Sequence, residues 1–158
     1  MKRIILILFI FSLLFALSGF CHAEVAWSIT YVGNSWDEAS SVYQTSDNGY
    51  VVAGHTQSFG VGDLDLWVLK LDSIGDVMWQ KTYGGINRDS ATSIQQTRDG
   101  GYVVAGHTDS FGEGFLDIWV LKLNSNGNLI WQKTYGGSYN DYTDATSIQQ
   151  TRDGGYVV

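Results

Sequence analysis

Three aspartates, Asp37, Asp89 and Asp141, each follow a glycine by four residues, at Gly33, Gly85 and Gly137. Carboxylates recurring in equivalent loops could together hold a hard cation such as calcium through oxygen ligands. Each could equally cap its own turn by accepting backbone N–H groups, and this second reading is preferred. Asparagine would cap the same turns, so Asp-to-Asn replacement is expected to remove cation binding and keep the fold. His55 and His107 both stand in "AGHT". A catalytic histidine is usually a single residue, so a repeated one points to packing or hydrogen bonding, with ligand contact as the alternative. Phe59 and Phe111 lie in "QSFGVG" and "DSFGEG". There they could stack on a sugar, anchor a protein partner, or plug a gap between structural units. Asp65 and Asp117 invite the same choice between cation and turn, and lean to structure. Asp47, Asp99 and Asp153 read as hairpin-turn residues. No zinc-protease helix motif, nucleophile elbow, phosphate loop or EF-hand loop is present, and no catalytic residue is assigned.

These residues recur because the chain repeats. Trp67 and Trp119 lie 52 residues apart, as do Trp27, Trp79 and Trp131 in succession, and Gly49-Tyr50 and Gly101-Tyr102. The next Gly-Tyr, at Gly155-Tyr156, is displaced by two further residues, an insertion within "SYNDYTDA". "ATSIQQTRDGGYVV" occurs twice, from Ala91 and again from Ala145. A period of this length marks a repeat architecture.

Within one period the pattern predicts four short strands. "ATSIQQT" is followed by the turn "RDG" and then "GYVVAGHT"; the loop "DSFGEGF" leads to "LDIWVLKL"; the turn "NSNGN" leads to "LIWQKTYG". Asp-Gly and Asn-Gly supply the positive φ that tight hairpins need. The first run carries small residues suited to a crowded place. The second and third are nearly continuous apolar runs, as strands covered on both faces should be. The fourth alternates apolar and polar residues and suits an outer edge. The fold class is all-β.

The N-terminus has a different role. Lys2 and Arg3 precede an apolar run from Ile4 to Leu17, and "CHA" ends at Ala23, so residues 1–23 read as a secretory signal peptide. The run is shorter than the ~20 residues of a spanning helix, so membrane contact is expected only through an uncleaved signal anchor. The chain is thus expected to be secreted or held at the cell surface. Without residues 1–23 it carries 7 basic and 16 acidic residues, a balance that repels phosphate backbones and makes nucleic acid an unsuitable partner. Cys21 is the only cysteine and leaves with the leader, which leaves no disulfide or thiol.

The stretches "DGGYVVAGHT", "DIWVLKLNSNGNLIWQKTYGG" and "DLWVLKLDSIGDVMWQKTYGG" resemble the tandem β-propeller repeats of secreted and cell-surface proteins of bacteria and archaea. The resemblance implies four-stranded blades in an incomplete, open array. The expected organisation is an outer strand in 24–36, blades at 37–88 and 89–142, and the two inner strands of a partial blade at 143–158. The turns "LDSIGDVMW" and "LNSNGNLIW" also resemble those of pyrroloquinoline-quinone-type propellers. They depart from that pattern by one residue between Asp72 and Gly75, and by Asn124 in place of aspartate, which counts against a quinone-dependent dehydrogenase. Closed propellers need about 4 to 8 blades. The chain therefore reads as a partial copy of a longer protein, with a protomer that closes its ring by self-association through open blade edges as the rival. The expected function is a non-enzymatic module binding extracellular protein or glycan through its loops. The alternatives are a fragment of a polysaccharide hydrolase or lyase and a structural spacer. No cofactor is expected, and calcium is the one ion considered.

Overall fold

Alternating and continuous apolar runs broken by turn residues should give sheets, and they do. The computed structural model describes residues 28–138 and 147–158, and every regular element among them is a strand. The first sheet contains β1 (Asp37–Gln44), β2 (Tyr50–Thr56), β3 (Asp65–Leu71) and β4 (Val77–Tyr83). The second contains β5 (Asp89–Gln96), β6 (Tyr102–Thr108), β7 (Asp117–Leu123) and β8 (Leu129–Tyr135). Each is four-stranded and antiparallel, with its strands in chain order. A short hairpin of β9 (Gln149–Gln150) and β10 (Tyr156–Val157) follows. The segment expected to be a signal peptide, residues 1–23, and Asp141 lie outside the described residues.

Local chemistry sets the register. In the β5–β6 turn, Thr97 N–H donates to Gly101 O at 2.9 Å and Gly100 takes φ 78°. In the β1–β2 turn the left-handed residue is Asn48, at φ 65°, one of the few side chains that tolerate that region. A register shift between Ala39 and Ser41 is matched between Ala91 and Ser93, a bulge of the kind that bends a strand and strengthens its twist. A Cβ on Gly54 or Gly106 would lie 1.9 Å from the carbonyl oxygen of Glu38 or Ser90, so only glycine fits there.

The middle strands are buried almost throughout and the fourth strands are largely exposed. Because side chains alternate across a strand, the middle pair offers two apolar faces. Val51, Ala53, Leu66 and Val68 of the first sheet pack against Tyr102, Val104, Trp119 and Leu121 of the second. The opposite face of the first sheet, with Tyr50, Val52, Trp67 and Leu69, meets Tyr31 and Phe59. The opposite face of the second, with Val103, Ala105 and Val120, meets Ile148 and Tyr156.

The junctions repeat as faithfully as the sheets. Trp79 meets Tyr102 edge-on at 5.8 Å, and Trp131 meets Tyr156 at 5.7 Å. Ile94 N–H donates to Ser41 Oγ and Ile148 N–H to Ser93 Oγ, at 3.3 and 3.2 Å. Ser46 N–H and Arg98 N–H donate to Gln96 and Gln150 Oε1, at 2.8 and 3.1 Å. Tyr83 Oη donates to Gly127 O at 2.5 Å, and Tyr31 Oη donates likewise to Gly75 O.

Residues 28–36 are expected to end an outer strand, yet they enter no β-ladder. A strand exists through a paired neighbour, and no described strand pairs with this segment. Its side-chain packing, through Tyr31, is of the kind that Tyr83 makes one unit later.

Candidate functional site

Asp37 and Asp89 open β1 and β5, and both are buried. Asp37 accepts Gly33 N–H at 2.8 Å, Ser58 Oγ–H at 2.7 Å and the Thr56 hydroxyl. Asp89 repeats the set with Gly85 N–H at 2.8 Å, Ser110 Oγ–H at 2.6 Å and the Thr108 hydroxyl. Burial pushes the Asp37 carboxyl up, but the Thr56 hydroxyl, the Gly33 amide and the Ser58 donors outweigh it and hold the group below its usual range. Each carboxylate thus ties the loop before its own strand to the loop that follows the second strand. Asp65 and Asp117, at the starts of β3 and β7, are buried too. Asp117 accepts Glu113 N–H at 2.9 Å. Burial raises the Asp65 carboxyl, the Val61 amide opposes this, and the Asp89 charge adds to it.

Phe59 lies tilted on Trp67 at 5.4 Å, and Phe111 on Trp119 at 5.3 Å. A Cβ on Gly33 would meet the Phe59 ring, and one on Gly85 would meet the Phe111 ring. Both rings therefore fill the space beside the loop that enters their own sheet. His55 sits in the seam between the sheets: its Nδ1 is 3.2 Å from Ser90 Oγ, and its ring meets Trp36 edge-on at 5.2 Å. Burial is the main influence lowering its pKa, with the Glu38 carboxylate opposing. His107 occupies the matching place, opposite Ser90 across the β5–β6 ladder.

One pair of residues carries no signal beyond its oddity in the sequence. Lys70 and Lys122 stand inside apolar runs and are 4% exposed. Lys70 Nζ reaches both oxygens of Asp47, at 3.1 and 2.9 Å, and Leu71 O at 2.9 Å. Lys122 reaches Asp99 at 3.0 Å, Thr97 Oγ1 at 2.9 Å and Leu123 O at 3.1 Å. Asp47 and Asp99 are thus more than turn formers. The Thr45 and Thr97 hydroxyls, with the two lysines and the Gly49 and Gly101 amides, outweigh desolvation and hold their pKa values at about 2. A depressed carboxylate stabilises the fold above its unfolded pKa of about 3.9 and ceases to do so as pH falls through its folded value. Stability is therefore expected to fall between about pH 4 and pH 2, and the Asp47→Asn, Asp99→Asn double variant should flatten that slope in urea titrations. An unchanged slope would remove these turns as the acid-sensitive element.

The loops that join β2 to β3, β4 to β5 and β6 to β7 gather at one end of the two sheets. A cleft of about 510 Å³ opens there, lined by Asp63, Ile86, Asn87, Arg88, Asp109 and Phe115. Arg88 Nε donates to Asp63 Oδ2 at 2.7 Å, a contact that lowers the Asp63 carboxyl and raises the guanidinium. Asn87 Nδ2 donates to Asp109 O at 2.9 Å, and Asp109 N–H donates to Arg88 O at 2.8 Å. Burial raises the Asp109 carboxyl, opposed by His107 and Arg88. Ile86 is 81% exposed and Phe115 is 71% exposed. Reasoning from recurrence passes over these residues because they break the repeat. Asp109 and Phe115 stand where the first unit has Gln57 and Asp63, and Ile86, Asn87 and Arg88 where the preceding loop has Asn34, Ser35 and Trp36.

The class of protein is an all-β tandem repeat: one four-stranded antiparallel sheet used twice, with a hairpin of a third copy packed behind it. No protein-family model matches the chain. In an alignment of 124 positions that covers 68% of this chain and 13% of the relative, the chain is 27% identical to the regulatory protein FlaEY of Caulobacter vibrioides.

Proposed function

We propose that the sheets are blades of a β-propeller and that the chain is part of a secreted or surface-displayed module that binds extracellular protein or glycan through its loop face. Support for the propeller lies in the repeated junction. An interface that joins one face of a unit to the opposite face of the next is heterologous, and its repetition leads to a ring or an open helix. Four-stranded sheets stacked face to face are the unit from which propeller rings are built. Propellers host many activities, so function has to be argued from the site.

The observation that carries the binding reading is where the two units differ. Their central strands are nearly identical, "YVVAGHT" twice and "DLWVLKL" beside "DIWVLKL", whereas the cleft combines residues with no counterpart in the other copy. A fold needs its core repeated; recognition needs residues that are not. The decisive test exchanges the loops. Asp109→Gln, Glu113→Val and Phe115→Asp turn the second unit's loop into the first unit's, which the fold already accommodates. The exchanged chain should keep its melting temperature and circular dichroism while losing retention on whole cells or extracellular matrix preparations. Retention unchanged by the exchange would remove the cleft from the function.

A further inference from the structure

The cleft has a chemistry of its own, and assigning it a ligand rests on the proposal that the loop face is the binding surface. Its polar groups are one guanidinium between two carboxylates, Asp63 and Asp109, with the Asn87 amide beside them. Only Nε of Arg88 is engaged with Asp63, so the remaining guanidinium donors can serve a ligand. Asp109 offers carboxylate acceptors, while its backbone groups are occupied by Asn87 and Arg88. Phe115 adds an exposed aromatic ring and Ile86 an exposed aliphatic surface at the rim.

Donors, acceptors and an apolar face in one small cleft suit a molecule that presents all three. A sugar ring does so: its hydroxyls both donate and accept, and its C–H face is apolar. The charges narrow the choice further. A single cation flanked by two carboxylates gives no net attraction for an anion, and the chain as a whole carries a formal charge of −7. Phosphorylated, sulfated and uronic-acid ligands are therefore disfavoured. Size fits a small ligand: about 510 Å³ lies within the ~300–1,000 Å³ usual for small-ligand clefts.

We propose that this cleft binds an uncharged glycan, with the sugar's apolar face on Phe115 and its hydroxyls shared between Arg88 and Asp109. Arginine suits this task because its planar fork can donate two parallel hydrogen bonds to adjacent oxygens.

The test is calorimetric titration of the full chain with neutral hexasaccharides (gluco-, manno-, galacto- and xylo-configured) and with a hexa-uronate as the anionic probe. At least one neutral probe should bind, and the hexa-uronate should bind at least ten-fold more weakly. Phe115→Ala should weaken the neutral probe roughly ten-fold, the loss expected when an aromatic ring that the bound ligand covers is removed. Asp109→Asn should weaken it less and leave the melting temperature unchanged, since the first unit folds with an amide side chain at that position. Arg88→Lys keeps the charge and loses the fork, so it should weaken binding as well. If no neutral probe binds, or the hexa-uronate binds as tightly, the glycan assignment is overturned. Should the loop exchange nevertheless abolish retention on cells, the loop face remains the binding surface and its ligand is a protein or another class.

Discussion

Trp119→Ala is expected to lower the unfolding free energy by about 4 kcal/mol, the middle of the range for a large aromatic removed from a core. Trp119 is 1% exposed and belongs to the cluster in which both sheets take part, with Leu66 and Val68 on the other side. Its loss opens a cavity at the interface between units as well as within one, and strips Phe111 of its packing partner at 5.3 Å. For a chain of this size that corresponds to a fall of about 15 °C in melting temperature. Trp67→Ala makes the useful comparison. Trp67 is nearly as buried, and among the described residues its outer side meets Tyr31, Ala39 and Phe59 rather than a second sheet. Its effect should be smaller, even though it also deprives Gln80 Oε1 of an indole N–H at 3.2 Å. Paired urea and thermal melts decide the matter. Equal losses would mean that the sheet-to-sheet interface adds little to the stability of either unit.

That interface is legible in the sequence only in part. Two faces of a middle strand cannot both be apolar unless both are covered, so "YVVAGHT" and "DIWVLKL" announce a stack of sheets. Hairpin turns and recurring tryptophans fix four strands per unit. What the sequence does not announce is which face meets which neighbour, because alternation says only that there are two. Lys70 and Lys122 are hidden for a related reason. A lysine within an apolar run reads as an interruption until the register places Nζ beside Asp47 or Asp99, 23 residues away along the chain. The segment before Asp37 shows the reverse case. Its side chains match those of an outer strand, but ladder formation depends on a paired neighbour and not on the segment itself.

The candidate sites divide in the same way. Recurring residues (the aspartates, the histidines, Phe59 and Phe111) stand out in the sequence, and the structure places those described within turns, seams and packing gaps. Recurrence marks what every copy of a unit needs in order to fold. Arg88, Asp109 and Phe115 come from two loops and meet Asp63 from a third, so no spacing along the chain links them. The signal that could have found them is the mismatch between aligned copies.

Asp89→Asn is expected to destabilise the chain by about 2 kcal/mol and Asp89→Ala by about 3, so asparagine should keep the fold only at a cost in stability. Asparagine can replace an aspartate that caps a turn with one oxygen. Asp89 uses two: Oδ1 accepts the Thr108 hydroxyl, and Oδ2 accepts both Gly85 N–H and Ser110 Oγ–H. An amide nitrogen in the Oδ1 position would face Thr108 Oγ1, whose lone pairs already serve Ser110 N–H at 3.0 Å and Phe111 N–H at 3.1 Å. Turned the other way, it would face the Gly85 amide, donor against donor. Either orientation leaves a buried donor unmatched at a residue that is 0% exposed. Alanine leaves all three donors without their acceptor, and Asp37 should behave similarly because its partners are the same in kind. Denaturation midpoints of the two Asp89 variants check the order. An Asn variant as stable as the parent would show that the Thr108 contact contributes nothing. The same geometry bears on calcium, since a cation at Asp89 would have to displace three donors that already occupy the carboxylate oxygens. Millimolar calcium is therefore expected to leave the midpoint of the full chain unchanged, whereas a ligand held only by the folded state would raise it by mass action. A calcium-dependent rise that Asp89→Asn abolishes would reverse the assignment and make the aspartate a ligand rather than a turn cap.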